Sequence, residues 1–139
     1  MKSAIVFLFL VSGFFGFGQM DCILGVGGRD NETITKVFEL TEEQRESLKN
    51  WSAELKIRND ILKDRAKFLM KKNEESSPEV LVAVSKEYSS IMDSMKQNVL
   101  MMDTRLLQSF DQTQYDRYVK LCNQLTLRPI HISKSVDEN

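Results

Sequence analysis

Residues 41–72 read TEEQRESLKNWSAELKIRNDILKDRAKFLMKK, and the pattern in this stretch decides the fold. Its start has Thr41 at the N-cap position of a helix and Gln44 at N3, the arrangement of a capping box. Apolar side chains then recur at helical spacing, and they are Leu48, Trp51, Leu55, Leu62, Ala66 and Leu69. The stretch therefore predicts one helix of about 30 residues, about 45 Å long.

A second apolar seam follows Pro78. Ser77 and Pro78 favour a helix start, with serine as the N-cap and proline in the first turn. Spacings of three and four residues, broken once at Asn98, then connect Leu81, Val84, Tyr88, Ile91, Met95, Met102 and Leu106. A narrow seam of this kind packs against one partner helix, as in a coiled coil. Because the polar link at residues 73–77 is short, the two long helices are predicted to form an antiparallel hairpin.

A shorter helix is predicted after the hairpin. Asp111 and Gln114 repeat the N-cap and N3 positions of the first long helix, and the periodicity ends near Leu125. Residues 40–125 are thus expected to form one helical domain. The predicted fold class is all-α.

The segments on either side of this domain are predicted to be irregular. Residues 19–39 contain the glycine run at positions 25–28, which indicates a turn, and a short helical turn from about Asn31. Residues 126–139 are expected to form a tail. Short apolar pieces at residues 22–24 and 129–132 are candidates to pair as strands.

Residues 1–18 have the features of a secretory signal peptide. Lys2 precedes an apolar stretch at residues 4–17, and glycines occupy the −3 and −1 positions of a cut before Gln19. The apolar stretch is short for a membrane span, although an uncleaved anchor is the alternative. We expect a periplasmic or secreted protein that is not inserted in a membrane after cleavage.

Composition and motifs argue against catalysis, metal binding and nucleic-acid binding. His131, the only histidine, lies in the tail, and the chain has no HExxH, CxxC, GxSxG or phosphate-binding glycine loop. One histidine and two cysteines that are expected to form a disulfide leave few ligands for a transition metal. After loss of Lys2, 18 basic residues remain against 20 acidic ones, so the net charge is −2. Such a balance gives no general attraction to nucleic acid or anionic membrane. We expect neither enzyme activity nor a cofactor or metal.

The chain has two cysteines, Cys22 and Cys122. An even cysteine count in an exported chain favours a disulfide between them, with two separate thiols as the alternative. The bridge would close a loop of about 100 residues, which the chain-entropy description values at about 4.7 kcal/mol before strain.

The most informative surface is on the first long helix. A helical wheel shows a second apolar strip about 100–140° from the main one, with a basic row between the two. The second strip and the basic row together comprise six residues, which are Ile57, Arg58, Ile61, Arg65, Phe68 and Lys72. Residues 56–72 together contain seven basic and two acidic side chains. One strip is enough to pack the hairpin, so the second strip needs the last helix, a second copy of the protein, or a client.

Two short motifs stand 70 residues apart, LTEEQ at 40–44 and FDQTQ at 110–114. The first matches Leu-Thr-x-x-Gln in full, while the second keeps an apolar lead residue, a capping residue and the glutamine. Their helix-capping residues are Leu40, Thr41 and Gln44, and Phe110, Asp111 and Gln114. With a signal peptide and a long hairpin between the motifs, the chain resembles the Spy/CpxP family of periplasmic helical proteins over residues 40–125.

The resemblance implies an all-helical, cradle-shaped antiparallel homodimer. Members of the family include an ATP-independent chaperone, envelope-stress regulators and metal-responsive relatives. The resemblance brings no catalytic residues, and the histidine-rich ligand sets of the metal-responsive branch are missing here. The acidic net charge, the cysteine pair and the glycine-rich N-terminal region depart from the family pattern.

The leading hypothesis is a Spy-like chaperone that binds unfolded or envelope proteins on the six-residue apolar and basic surface. One alternative is an envelope-stress regulatory or sensor protein that binds a single membrane partner. Another is a structural helical module that forms a homodimer through its second apolar strip.

Overall fold

A computed structural model describes residues 18–28 and 30–133, and these residues form four α-helices. The helices are α1 (Asn31–Val37), α2 (Glu42–Lys72), α3 (Pro78–Ser109) and α4 (Gln112–Gln124). The predicted all-α class is therefore confirmed. Apart from Gly18, the predicted signal peptide lies outside the described residues, as does the tail after residue 133.

The two long helices pack against each other as a hairpin. Three side-chain contacts cross the pair, and their residue numbers rise along α2 while they fall along α3. These contacts join Glu54 to Arg105, Asn59 to Asn98 and Arg65 to Glu87. The helices are therefore antiparallel, as the short link between them predicts.

Both predicted capping boxes are formed. The Thr41 side chain accepts a hydrogen bond from the Gln44 amide, and the Gln44 side chain accepts one from the Thr41 amide. Asp111 and Gln114 make the same two bonds at the start of α4. Each box satisfies two backbone donors that a helix start leaves without intrahelical partners.

The glutamines of the two capping boxes meet in the interior. The amides of Gln44 and Gln114 exchange hydrogen bonds of 2.8 and 2.9 Å. Gln44 also donates to the Ser109 carbonyl, and Gln114 to the Phe38 carbonyl. Beside them the rings of Phe38 and Phe110 pack with centroids 5.0 Å apart. The repeated glutamine therefore ties the start of α2 to the start of α4, which gives the motif a structural role.

The hydrophobic core lies at one end of the hairpin. We call the described residues 18–55 and 99–133 the base, and residues 56–98 the distal hairpin. All members of the buried core cluster belong to the base: Cys22, Val26, Ile34, Phe38, Leu40, Leu48, Leu55, Met102, Leu106, Leu107, Phe110, Tyr118 and Cys122. The distal hairpin extends beyond this core.

A disulfide between Cys22 and Cys122 closes the base, as the cysteine count predicts. Beside it the hydroxyl of Tyr118 donates to the Cys22 carbonyl and accepts from the Ile130 amide. Burial raises the pKa of Tyr118, so this hydroxyl stays protonated and remains a donor. The disulfide therefore joins the N-terminal segment to α4, and the Tyr118 hydroxyl connects both to the tail.

A buried carboxylate organises the glycine run. Asp103 is fully buried, and its oxygens accept hydrogen bonds of 2.7, 3.2 and 2.9 Å from the amides of Leu24, Gly25 and Val26. Gly25 has a positive φ of 78°, a conformation that favours glycine. Gly27 also has a positive φ, and a Cβ there would stand 2.8 Å from the Leu55 side chain. The predicted turn is thus a loop wrapped around one carboxylate.

The predicted pairing of residues 22–24 with 129–132 as strands is wrong. The N-terminal segment and the tail meet earlier, in a single parallel bridge between Asp21 and Arg128. A longer ladder cannot form because the amides after Ile23 are bonded to Asp103. Pro129 has no N–H to donate.

Candidate functional site

The six predicted binding residues all lie on α2 in the distal hairpin. The apolar members Ile57, Ile61 and Phe68 are 64, 65 and 67% exposed. Neither α4 nor any other described part of the chain covers them. The second apolar strip therefore faces solvent, and the alternative that the last helix buries it does not hold.

The basic row beside this strip is partly paired. Arg58 Nε lies 2.8 Å from Glu54 Oε1, and Arg65 lies 3.1 Å from Glu87 Oε1 on α3. Glu54 also accepts from Arg105, and the hydrogen bonds from Arg105 and then Arg58 hold the pKa of that carboxyl below its usual value. The side chains of Arg58, Arg65 and Glu87 are about half exposed or more, so their ion pairs contribute little stability. The row remains available to anionic groups of a ligand.

A groove of about 410 Å³ runs beside the strip. Of the six predicted residues, it brings together Arg65, Phe68 and Lys72, and α3 adds Val80 and Glu87. The other three, Ile57, Arg58 and Ile61, lie nearer the base along α2 and do not line this groove. The predicted surface is therefore a groove near the tip with a ridge leading to it.

A larger groove of about 880 Å³ lies on the other side of the hairpin, and we call it the lysine groove. Its α2 rim carries Lys63, Lys67 and Lys71, and its floor is apolar, with Leu81, Tyr88, Met92 and Met95 from α3. At about 100° per residue, its α2 residues fall on the opposite side of the main apolar strip from Arg65 and Lys72. Sequence reasoning missed this groove.

The lysine groove corrects the predicted seam of α3. Leu81 and Tyr88 were expected to pack against α2, but they are 41 and 39% exposed. The residue that the main strip of α2 presents in this region is Ala66, which lines the groove. A methyl group fills little of the space between two helices, so larger α3 side chains stay open to solvent. The sequence feature that indicates this groove is a small residue, Ala66, in the main apolar strip of α2, with lysines four residues apart beside it.

The chemistry of both grooves is apolar contact and ion pairing. Within residues 18–28 and 30–133, no group of three histidine, cysteine or carboxylate side chains is placed to hold a metal ion. No helix in the same residues has the length and apolar character needed to cross a bilayer. Hydrogen bonding from Lys56 keeps the pKa of the nearby Asp60 carboxyl below its usual value. The arrangement suits non-covalent binding.

No known protein family, curated protein or solved structure matches the chain.

Proposed function

We propose that the protein is an exported helical binding protein that holds unfolded or envelope proteins without ATP, in the manner of a Spy-like chaperone. The observation that carries this proposal is the exposure of Ile57, Ile61 and Phe68, each more than 60% open to solvent on one helix. Contiguous apolar surface rimmed by polar groups is typical of an interaction site.

The composition of the surface suits clients without a fixed shape. An unfolded chain exposes apolar side chains together with acidic ones, and the strip offers apolar contacts beside Arg58, Arg65 and Lys72. Arg58 and Arg65 are each held by a single surface ion pair, so they can exchange partners at little cost. Binding of this kind is loose and adaptable.

The compartment forms part of the same proposal. A disulfide joins Cys22 to Cys122, and disulfides persist in oxidising compartments outside the cytoplasm. The sequence of residues 1–18 has the features of a signal peptide. Export to the periplasm or beyond agrees with both observations.

A structural homodimer is the second candidate. Val80 of α3 is exposed and lines the same groove as Phe68, so it adds to the second apolar strip near the tip. A self-complementary contact between two tips would cover these side chains. Light scattering of the protein from residue 19 onward distinguishes the candidates, since a monomer that still holds clients excludes the dimer as the function.

The direct test measures aggregation of a reduced client protein. We expect the purified protein to suppress aggregation at a near-stoichiometric ratio, and the triple variant I57S/I61S/F68S to lose this effect. The melting temperature should stay close to that of the wild type, because the three side chains are already exposed. Capture of one stoichiometric membrane partner from envelope extract, with no effect on aggregation, would favour the regulatory alternative.

A matched control removes exposed apolar side chains from the base. Met20, Ile23 and Leu125 are also large, apolar and exposed. The variant M20S/I23S/L125S should suppress aggregation as well as the wild type. Equal loss in both triple variants would show that general surface hydrophobicity, and not the strip, holds the client.

The basic row has a separate signature. Replacing Arg58, Arg65 and Lys72 by glutamine should weaken client holding and its dependence on salt, because exposed charges are screened over about 8–10 Å at moderate ionic strength. Client holding that is unchanged by both the substitutions and the salt would exclude a role for the row.

A further inference from the structure

The lysine groove is a second surface, separate from the one proposed to hold unfolded clients. It contains none of the residues Ile57, Arg58, Ile61, Arg65, Phe68 and Lys72. Its floor is formed by half-buried Met92 and Met95 with the more exposed Leu81 and Tyr88. Methionine side chains adapt to differently shaped apolar partners. The groove therefore offers an open apolar floor of its own.

The floor follows the geometry of a helix. Its α3 residues run from Leu81 through Tyr88 and Met92 to Met95, a span of about 21 Å at 1.5 Å per residue. Ridges with this spacing accept the side chains of a third helix laid along the hairpin, as in a helical bundle. An amphipathic helix of about four turns would cover the whole floor.

The rim adds a periodic charge. Lys63, Lys67 and Lys71 are four residues apart, so they repeat about every 6 Å along α2. Lys63 and Lys67 have only long contacts with Asp60 and Asp64, of 3.6 and 3.9 Å, between solvated side chains. Glu74 lines the tip end of the groove. The long edge is therefore cationic and weakly neutralised, with one carboxylate at its end.

This periodicity distinguishes a helical ligand from a single-headgroup lipid. A lipid anion would use one lysine and leave the other two without a role. A helix that carries acidic residues about one turn apart meets all three at the same repeat. The groove is also open along its length, whereas sites for small ligands enclose most of the ligand surface.

We propose that the lysine groove binds an acidic amphipathic helix of a partner protein, with its apolar face on Leu81, Tyr88, Met92 and Met95 and its carboxylates along Lys63, Lys67 and Lys71. This is recognition of a helix in a groove. It requires a folded or folding helix with one acidic edge, and it does not depend on the holding of unfolded clients by the other face.

The test uses the protein from residue 19 onward and a synthetic fluorescent peptide of about 16 residues. The peptide has leucines three and four residues apart and glutamates four residues apart along one edge of that apolar face. A second peptide replaces each glutamate by lysine. Fluorescence anisotropy should show saturable binding of the acidic peptide that weakens with added salt, and no binding of the basic one.

Two matched variants locate the site. K63Q/K67Q/K71Q removes the rim, and R58Q/R65Q/K72Q removes the same number of charges from the other side of α2. The first should weaken peptide binding by about tenfold, since exposed ion pairs contribute modestly and three are lost. The second should leave peptide binding nearly unchanged. Circular dichroism should show that both variants keep the wild-type helix content.

The same pair separates this inference from the proposed chaperone function. The rim variant should still suppress client aggregation, while the R58Q/R65Q/K72Q variant should suppress it less. If the wild-type protein binds the peptide but does not suppress client aggregation, the result would support the helix-binding groove and refute the proposed chaperone function. Suppression of aggregation without peptide binding would do the reverse.

Three kinds of result would overturn the inference. The first is no binding of the acidic peptide, or equal weakening in both triple variants. The second is binding of lysophosphatidylglycerol that needs the three lysines while the peptide does not bind, which would identify an anionic amphiphile. The third concerns a photocrosslinker placed at position 92, which should capture the peptide. Capture of a second copy of the chain instead would identify a homodimer surface.

Discussion

The base and the distal hairpin share the two long helices, but only the base also contains α1, α4 and the hydrophobic core. The base encloses the core cluster, the disulfide and the carboxylate of Asp103. The distal hairpin has only Ala66, Val84 and Ile91 as buried residues among those from 56 to 98. One end of the hairpin contains the hydrophobic core, and the other end consists mostly of exposed residues.

This difference separates the tasks of folding and binding. The Gln44–Gln114 pair and the disulfide hold the ends of the helices where the chain enters and leaves the hairpin. Because those ends are fixed, helical pairing can continue into a region where few side chains are buried. Large apolar residues can then stay exposed without loss of the fold. Regions with few buried contacts are also those that open most readily.

Loss of the disulfide should have the largest effect on the comparison. The variant C22S/C122S releases a loop spanning 100 residues of sequence, and the free energy of unfolding should fall by up to about 4.7 kcal/mol. Urea unfolding followed by circular dichroism measures this change. Reduction of the wild-type bridge is the control and should give a similar loss. An unchanged midpoint in both experiments would mean that the base is held by its core alone.

A pair of leucine substitutions tests the comparison directly. Leu106 in the base is fully buried, while Leu81 in the distal hairpin is 41% exposed. L106A should lower the free energy of unfolding by about 2–5 kcal/mol, because the cavity is enclosed by core residues. L81A should cost clearly less, as part of that side chain is already in water. Similar losses in chemical denaturation would show that the distal hairpin is as tightly packed as the base.

The sequence predicted the regular parts of this fold well. The capping boxes at Thr41 and Asp111, with Pro78 in the first turn of α3, located the helix starts because each signal is local. The disulfide followed from the cysteine count. The exposed strip on α2 was found because a helical wheel needs only the residues of one helix.

The parts that were not predicted depend on contacts between distant segments. Asp103 binds amides 77 to 79 residues away, and no local pattern distinguishes it from a surface carboxylate. That binding also explains why residues 22–24 do not pair as a strand. The lysine groove arises where Ala66 of α2 faces larger side chains of α3, so a wheel of either helix alone does not show it.

Substitution of the buried carboxylate should have an intermediate effect on the base. D103N keeps the size of the side chain but replaces one acceptor oxygen with an NH₂ group, which leaves at least one amide of the Leu24–Val26 loop unsatisfied. A buried unsatisfied donor costs about 1–3 kcal/mol, so thermal unfolding should show a clear loss. D60N on the exposed face of α2 is the control and should change little.

The difference in stability between the wild type and D103N should change with pH in a definite direction. Burial raises the pKa of the Asp103 carboxyl above its unfolded value of 3.8, although bonds from Val26, Gly25 and Leu24 oppose the shift. The folded state therefore keeps this proton to higher pH than the unfolded state does. The contribution of Asp103 to the free energy of unfolding is therefore greatest at acid pH. This contribution falls as the pH rises through the folded pKa. The advantage of wild type over D103N should narrow from about pH 4 upward, and an advantage that grows with pH would refute the raised pKa.

The smallest expected effect on stability concerns the cross-helix ion pair of Arg65 and Glu87 in the distal hairpin. This pair also tests the proposed function. Both side chains are largely exposed, so a double-mutant cycle of R65Q and E87Q should give a coupling of only about 0.2–1 kcal/mol. E87Q nevertheless frees Arg65 for anionic groups of a client, and client holding should improve slightly while R65Q weakens it. If the pair instead fixes the distal hairpin, both variants should speed hydrogen exchange around residues 60–90 and weaken holding alike. Opposite signs in the aggregation assay, with equal and small changes in stability, would show that this end of the hairpin can be altered for binding without cost to the base.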